Sequence, residues 1–104
     1  MSKYHSRKTI VDGITFDSAA EARRYSELML MQRAGEITAL ELQPEFEIIV
    51  EDKYIGYYRA DFRYLPRSGP RVIEDVKGFR TPVYHLKKKL VEALYNITIT
   101  EVDA

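Results

Sequence analysis

The chain contains no cysteine and no tryptophan. Without thiols it can form no disulfide, and a thiolate metal centre is excluded. No apolar run approaches the roughly 20 residues that a helical membrane span requires. The opening Met1-Ser2-Lys3-Tyr4-His5 lacks the apolar core of a secretory signal. The expectation is an intracellular, cytoplasmic protein with no membrane association. Net charge is missing as well: 16 basic side chains balance 16 acidic ones. A neutral total argues against an indiscriminate nucleic-acid binder. His5 and His85 have no second His or Cys at ligand spacing, so neither is expected to hold a metal.

The charge that is present is segregated. From Glu36 to Asp52 every charged residue is acidic, whereas Lys77, Arg80, Lys87, Lys88 and Lys89 make a basic stretch. Lys3, Arg7 and Lys8 add a basic N-terminus. Such separation can build a basic face on a neutral protein, or can simply be a solvated helix surface. At 104 residues the chain reads as one domain, 1–104, with a single core and a flexible basic arm over residues 1–8.

Patterning predicts an α/β protein. Thr9-Ile10-Val11 and Ile14-Thr15-Phe16 flank an Asp12-Gly13 turn. Ser18 and Glu21 have capping-box spacing at the start of a helix that runs to about Ala34 and stops at Gly35. Its apolar stripe is Ala22, Tyr25, Leu28, Met29 and Gln32. A short strand over Ile37–Leu42 ends at Gln43-Pro44, and another spans Phe46–Val50. Tyr54 to Tyr64 reads as one long strand, with a potential interruption near Gly56. On it Tyr58, Ala60, Phe62 and Tyr64 share one face; Arg59, Asp61 and Arg63 share the other. Arg71–Lys77 is the next strand. Thr81-Pro82 opens a second helix to about Tyr95, with a predicted buried stripe of Val83, Leu86, Leu90, Val91 and Leu94. A last strand over Ile97–Val102 is expected to lie parallel to Arg71–Lys77 through a right-handed crossover. The sum is an α/β sandwich with a mixed central sheet flanked by helices.

One constellation stands out in this frame. Side chains on a strand alternate faces, so Asp75 and Lys77 point the same way while Glu74 points opposite. If the two long strands pair, Asp61 lies beside them. Two carboxylates and an ammonium on one face suit a hard divalent cation and the activation of water. Kept for stability alone, such a cluster would be costly.

This order of elements, with Phe16-Asp17-Ser18, Glu21, Tyr25, Glu27-Leu28, Gly35-Glu36-Ile37, Gln43-Pro44, Ala60-Asp61-Phe62, Glu74-Asp75-Val76-Lys77-Gly78 and Lys87, resembles the PD-(D/E)xK nuclease superfamily. That superfamily includes restriction endonucleases, transposon end-cleaving nucleases and Holliday-junction resolvases. Over nearly its full length the chain resembles a small phage-borne group described as resolvase-like, which would act in the host cytoplasm. The resemblance implies a restriction-endonuclease-like fold and a Mg²⁺ cofactor, with Mn²⁺ as a substitute. Asp61 and Asp75 would be metal ligands, the Val76 carbonyl a third, and Glu21 a further one. Lys77 would orient the attacking water or stabilise transition-state charge. In-line attack would leave a 5′-phosphate. Ala60 stands where the motif's name has proline. The implied partners are branched or structured DNA and a second copy of the chain, since two strands must be cut symmetrically.

Simpler readings stand beside these. Glu21 can be only the capping partner of Ser18, and Lys77 only a counter-ion. Lys87 borders the buried stripe, where its stem can lie along the core. Arg80, Lys88, Arg59 and Lys8 are candidate DNA contacts; Arg59 and Arg63 can equally be ion-pair partners. Tyr25, Tyr58, Tyr64 and Tyr84 are expected in the core. Two other functions use the same residues or fold: a non-catalytic nucleic-acid-binding or assembly module, and a nuclease that cuts RNA or needs a partner subunit.

Overall fold

The computed structural model describes residues 7–104. The predicted basic arm over residues 1–8, with Lys3 and His5, lies outside that range except for Arg7 and Lys8. Strands β1 (Thr9–Val11) and β2 (Ile14–Phe16) pair as a hairpin. Its turn residues Asp12 and Gly13 have φ of 53° and 76°, the left-handed pair that a primed turn demands. Helix α1 (Ala19–Arg33) starts at Ser18, whose hydroxyl accepts from the Glu21 amide at 3.1 Å. It ends before Gly35, which sits at φ 80° where a side chain would be strained. Ala22, Tyr25 and Leu28 are buried and Met29 and Gln32 half-buried, as the stripe predicted.

Then follow β3 (Ile37–Leu42), β4 (Glu45–Val50), β5 (Lys53–Arg59), β6 (Phe62–Pro66), β7 (Val72–Lys77), α2 (Pro82–Tyr95) and β8 (Ile99–Asp103). The central sheet has the order β3-β6-β7-β8. Its first three strands are antiparallel, and β7 and β8 run parallel across the α2 crossover. The expected α/β class and mixed sheet are observed. No described helix is long and apolar enough to cross a membrane.

The predicted long strand Tyr54–Tyr64 is not one strand. It breaks at Ala60-Asp61 rather than near Gly56. The Ala60 amide donates to the Pro44 carbonyl at 3.0 Å, and the Asp61 amide to the Glu74 carbonyl at 3.0 Å. The Gln43 amide in turn donates to the Asp61 carbonyl at 2.9 Å. Strands β3–β4 and β5–β6 thus form one long hairpin that bends where Gln43 turns left-handed at φ 54° and Pro44 offers no N–H. The base of the hairpin stays in the central sheet. Its outer part, β4–β5, leaves as a separate two-stranded ladder. Near Gly56 there is only a bulge: Ile48 pairs with Gly56 and Ile49 with Tyr54, leaving Ile55 extra.

The core has two layers. On one face of the sheet α1 packs with Phe16, Ile37, Phe62, Tyr64 and Val76. On the other, α2 and the β4–β5 hairpin close over Phe46, Ile48, Tyr58, Ile73, Val91 and Ile99. The bend therefore sends Tyr58 and Ala60 to one layer and Phe62 and Tyr64 to the other.

The predicted stripe of α2 is also corrected. Only Val91 is fully buried, with Leu90 half-buried, and Val83, Leu86 and Leu94 face outward. Tyr84, Leu90 and Val91 are what dock the helix. The Tyr95 ring stands edge-on to Phe46 at 5.3 Å, and its hydroxyl donates to the Glu47 carbonyl at 2.8 Å. These contacts fix the rotation of α2 about its axis. A buried Val or Phe contributes about 1.5–3 kcal/mol, so the inward face governs the docking.

Candidate active site

Strand alternation along β7 sorts its side chains between the two layers. Ile73, Asp75 and Lys77 face α2 and the hairpin; Glu74 and Val76 face α1. Glu74 is buried and fully paired. The Arg24 guanidinium donates to both its oxygens, at 2.8 and 2.6 Å, and the Tyr64 hydroxyl donates to it as well. Glu74 raises the Arg24 pKa still further above its ordinary value. This is a structural ion pair, and the choice of Asp75 over Glu74 as the reactive acid agrees with it.

Asp75 is 0% exposed. The Tyr58 hydroxyl donates to its Oδ2. Lys77 Nζ lies 3.5 Å from Oδ1, near enough for charge attraction but not aligned as a hydrogen bond. Oδ1 therefore accepts no bond from an N–H or a hydroxyl among the described residues, and the donor within reach of Asp75 is the Asp61 carboxyl when it holds its proton. A buried unsatisfied oxygen costs about 1–3 kcal/mol, and more when charged.

Asp61 sits at the bend between β5 and β6. Its Oδ2 accepts from the Val76 amide at 2.7 Å. That N–H would otherwise bond to the carbonyl of a continuing strand, so the carboxylate stands in for the missing strand partner. The N–H and C=O of a strand residue point the same way. The Val76 carbonyl therefore points toward the β6 side too, past the end of the ladder. Burial, then the charge of Asp75 and a hydrogen bond between the two carboxyls, push the Asp61 pKa up to about 8; the charge of Glu21 adds to the push. Glu21 is buried on α1, and its Oε1 accepts from the Ser18 hydroxyl at 3.4 Å. It therefore serves the helix cap and also contributes to the field at Asp61.

Two tyrosines finish the floor. Tyr58 packs against Tyr84 with centroids 6.3 Å apart, and Lys77 Nζ sits 4.7 Å above the Tyr84 ring. Burial, then the nearby Asp75 charge, holds the Tyr58 hydroxyl pKa far above the ordinary phenol value. Tyr84 is anchored by its hydroxyl to Glu101 at 2.7 Å. Lys77 is thus held between an aromatic face and a carboxylate, with little freedom to swing away.

Above this floor opens a cavity of about 360 Å³. Asp61, Lys77, Tyr58 and Tyr84 line its base, with Asp17, Gln43, Tyr57, Arg59, Thr81, Val83 and Lys87 around them. Asp75 lies one layer beneath. Among the described residues no three His, Asp or Glu side chains converge as they stand to enclose a cation. The donor set on hand is two carboxylates and the Val76 carbonyl. Such a set fits Mg²⁺, which keeps several waters and takes only one or two carboxylates from the protein. The crowding of Asp61 against Asp75, two buried carboxyls whose like charges oppose one another, is the observation that makes the fit more than compositional.

A family model matches residues 1–102. The chain belongs to the DUF1064 family. Its description is a protein of unknown function, so membership supplies no activity. Comparisons with curated proteins and with solved structures give no match.

Of the residues singled out in the sequence of this DUF1064 chain, Asp61, Lys77, Arg59 and Lys87 meet at the cavity, with Asp75, Val76 and Glu21 behind it. Lys8 reaches the rim through an ion pair with Asp17 at 3.1 Å. Arg80 and Lys88 are committed elsewhere. Arg80 bonds Glu101 and Asp103, both at 3.0 Å, and Lys88 pairs with Glu92 at 3.1 Å. Arg63 pairs with Glu41 at 2.7 Å, away from the cavity. Sequence reasoning missed Tyr57 altogether; it expected Tyr58 and Tyr84 in the core, where Tyr58 is buried and Tyr84 half-buried, but did not foresee that both also line the cavity.

Proposed function

We propose that the chain is a metal-dependent endonuclease that hydrolyses phosphodiester bonds in branched or structured DNA, built on a restriction-endonuclease-like α/β sandwich and acting as a homodimer. The observation that carries this reading is the pair of buried carboxyls, Asp61 and Asp75, crowded together beside Lys77 at a cavity lined by cations. Its likeness to the PD-(D/E)xK pattern supports the assignment further.

In this reading Asp61, Asp75 and the Val76 carbonyl hold Mg²⁺ or Mn²⁺. When bound, the cation lowers the pKa of water and neutralises charge on the phosphate. Lys77, restrained by the Tyr84 ring, presents its ammonium to the attacking water and to the developing negative charge. Glu21 keeps the acidic field high behind Asp61. Arg59 and Lys87 enter no ion pair among the described residues, and they supply phosphate contacts at the rim. Contacts of this kind read shape and backbone rather than sequence.

A second reading, a DNA-binding module without cleavage, has one observation in its favour: the Tyr58 hydroxyl already occupies one oxygen of Asp75. One experiment separates the two. End-labelled four-way junction, flap, duplex and single-stranded DNA are incubated with wild type and Asp75→Asn, with Mg²⁺, Mn²⁺ or EDTA. Cutting that needs metal and Asp75 is the expected result. DNA binding by a folded protein with no cutting of any substrate would favour the binding module.

A further inference from the structure

We propose that the outer wall of the cavity is a subsite for one unpaired nucleobase, next to the phosphate that is cut. The proposal rests on the nuclease reading for its purpose but not for its test. Tyr57 on β5 is 46% exposed and Val83 in the first turn of α2 is 61% exposed, and both line the cavity that holds Asp61 and Lys77. Neither contributes much to the core. Leu86, one turn beyond Val83 on α2, is exposed as well.

An exposed aromatic and an aliphatic on one wall make an apolar slot, and the slot is ringed by cations. Lys87 Nζ lies 5.8 Å from the centre of the Tyr57 ring, and Arg59 and Lys77 line the same cavity. The cationic rim selects an anionic ligand, and the ring selects a flat one. A nucleotide is both. Nearby, the Gln43 amide offers a donor and an acceptor to a base edge.

Size narrows the class. The cavity, about 360 Å³, is at the small end of the roughly 300–1,000 Å³ of ligand clefts. It has room for one planar ring and part of its sugar, not for a stacked pair. In a duplex both faces of every base are covered by neighbours, so only an unpaired nucleotide can present a face to Tyr57. Flaps, bulges and strand branches supply one; intact duplex does not. The inferred substrate class is DNA with an unpaired nucleotide adjacent to the scissile phosphate.

The test is fluorescence of 2-aminopurine, placed singly at positions around the branch of a flap and in a matched duplex. The full chain is titrated in Ca²⁺ so that binding is read without cleavage. Stacking on Tyr57 should quench the probe at one unpaired position and at no duplex position. Tyr57→Ala should abolish that quench and weaken flap binding about ten-fold, within the range for one stacked base. Tyr57→Phe should keep both. Circular dichroism checks folding, and sedimentation reads the mass of each variant. Quench that survives Tyr57→Ala, or is equal in duplex, overturns the proposal. So does a change in oligomer mass with quench unaltered, which would make the wall a contact for a second copy. Failure to bind any DNA overturns both this proposal and the nuclease reading. Tyr57-dependent quench with no metal-dependent cleavage sustains the subsite and sinks only the nuclease.

Discussion

Glu74 and Asp75 are neighbours on one strand, both buried, and their environments could hardly differ more. Glu74 faces α1 and meets a two-pronged guanidinium and a tyrosine hydroxyl. Asp75 faces α2 and meets one tyrosine hydroxyl, with a lysine 3.5 Å away that does not bond to it. One acid has every oxygen bonded to a guanidinium or a hydroxyl; the other has an oxygen that no N–H or hydroxyl reaches and a second carboxyl, Asp61, against it. Burial of a charge is tolerable when it is paired and costly when it is not. The fully paired acid is explained by the fold. The incompletely paired one shares its site with a second buried carboxyl, Asp61, and that asymmetry is what the proposed function draws on.

Asp75→Asn should produce the largest effect on activity. The expected loss of cleavage is at least about 10³-fold, or some 4 kcal/mol of barrier. Its melting temperature should stay level or rise, because an uncharged amide sits more easily beside Asp61. Arg24→Ala should show the opposite profile. Removing one partner of a buried pair costs about 3–5 kcal/mol, so denaturant melts should shift strongly, while cleavage per folded molecule should remain within a few-fold of wild type. If both variants lost activity and stability together, the division between the two acids would collapse.

The contrast extends to pH. The folded-state pKa of Asp61 is pushed from 3.8 up to about 8. A carboxyl whose folded pKa is raised binds its proton more tightly when folded. Its stabilising effect is therefore complete below about pH 4 and is lost as pH rises toward about 8. Metal favours the charged form, so on the proposed reading the gain in melting temperature from Mg²⁺ should grow over the same interval. Melts at pH 5 and pH 8.5, with and without Mg²⁺, check both signs. Asp61→Asn should flatten both trends, and a Mg²⁺ effect independent of pH would remove Asp61 from the ligand set.

Much of this was legible beforehand, and the parts that were not share a cause. Period-two alternation was enough to put Asp75 with Lys77 and Glu74 on the reverse face, because β7 is regular. The caps at Ser18 and Thr81 were legible because their chemistry is local. The break at Ala60-Asp61 was not. Tyr58 to Tyr64 alternates without interruption, and the bend is imposed from the partner strand through Gln43 and Pro44. The α2 stripe failed for a related reason. Of the predicted stripe Leu90 and Val91 do face the core, but Val83, Leu86 and Leu94 do not, because docking was decided with Tyr84 and Tyr95 against a hairpin whose departure from the sheet the sequence did not reveal. The cavity wall carrying Tyr57 depends on both of these features, and so no local pattern announced it.

The smallest effect is the most discriminating. Tyr58→Phe and Tyr64→Phe each delete one hydroxyl that donates to one of the two acids. Both should lower stability without metal by about 1 kcal/mol, the usual net worth of such a bond. Their responses to Mg²⁺ should then diverge. In Tyr64→Phe the Glu74 carboxylate still has Arg24, and the metal-induced rise in melting temperature should match wild type. In Tyr58→Phe Asp75 loses its hydroxyl donor and is left with the Asp61 carboxyl and the nearby Lys77. A bound cation would then satisfy more of the acid than it does in wild type, so the metal-induced rise should be larger. Equal responses in the two variants would mean that Asp75 is indifferent to metal, and it would have to be regarded, like Glu74, as part of the fold.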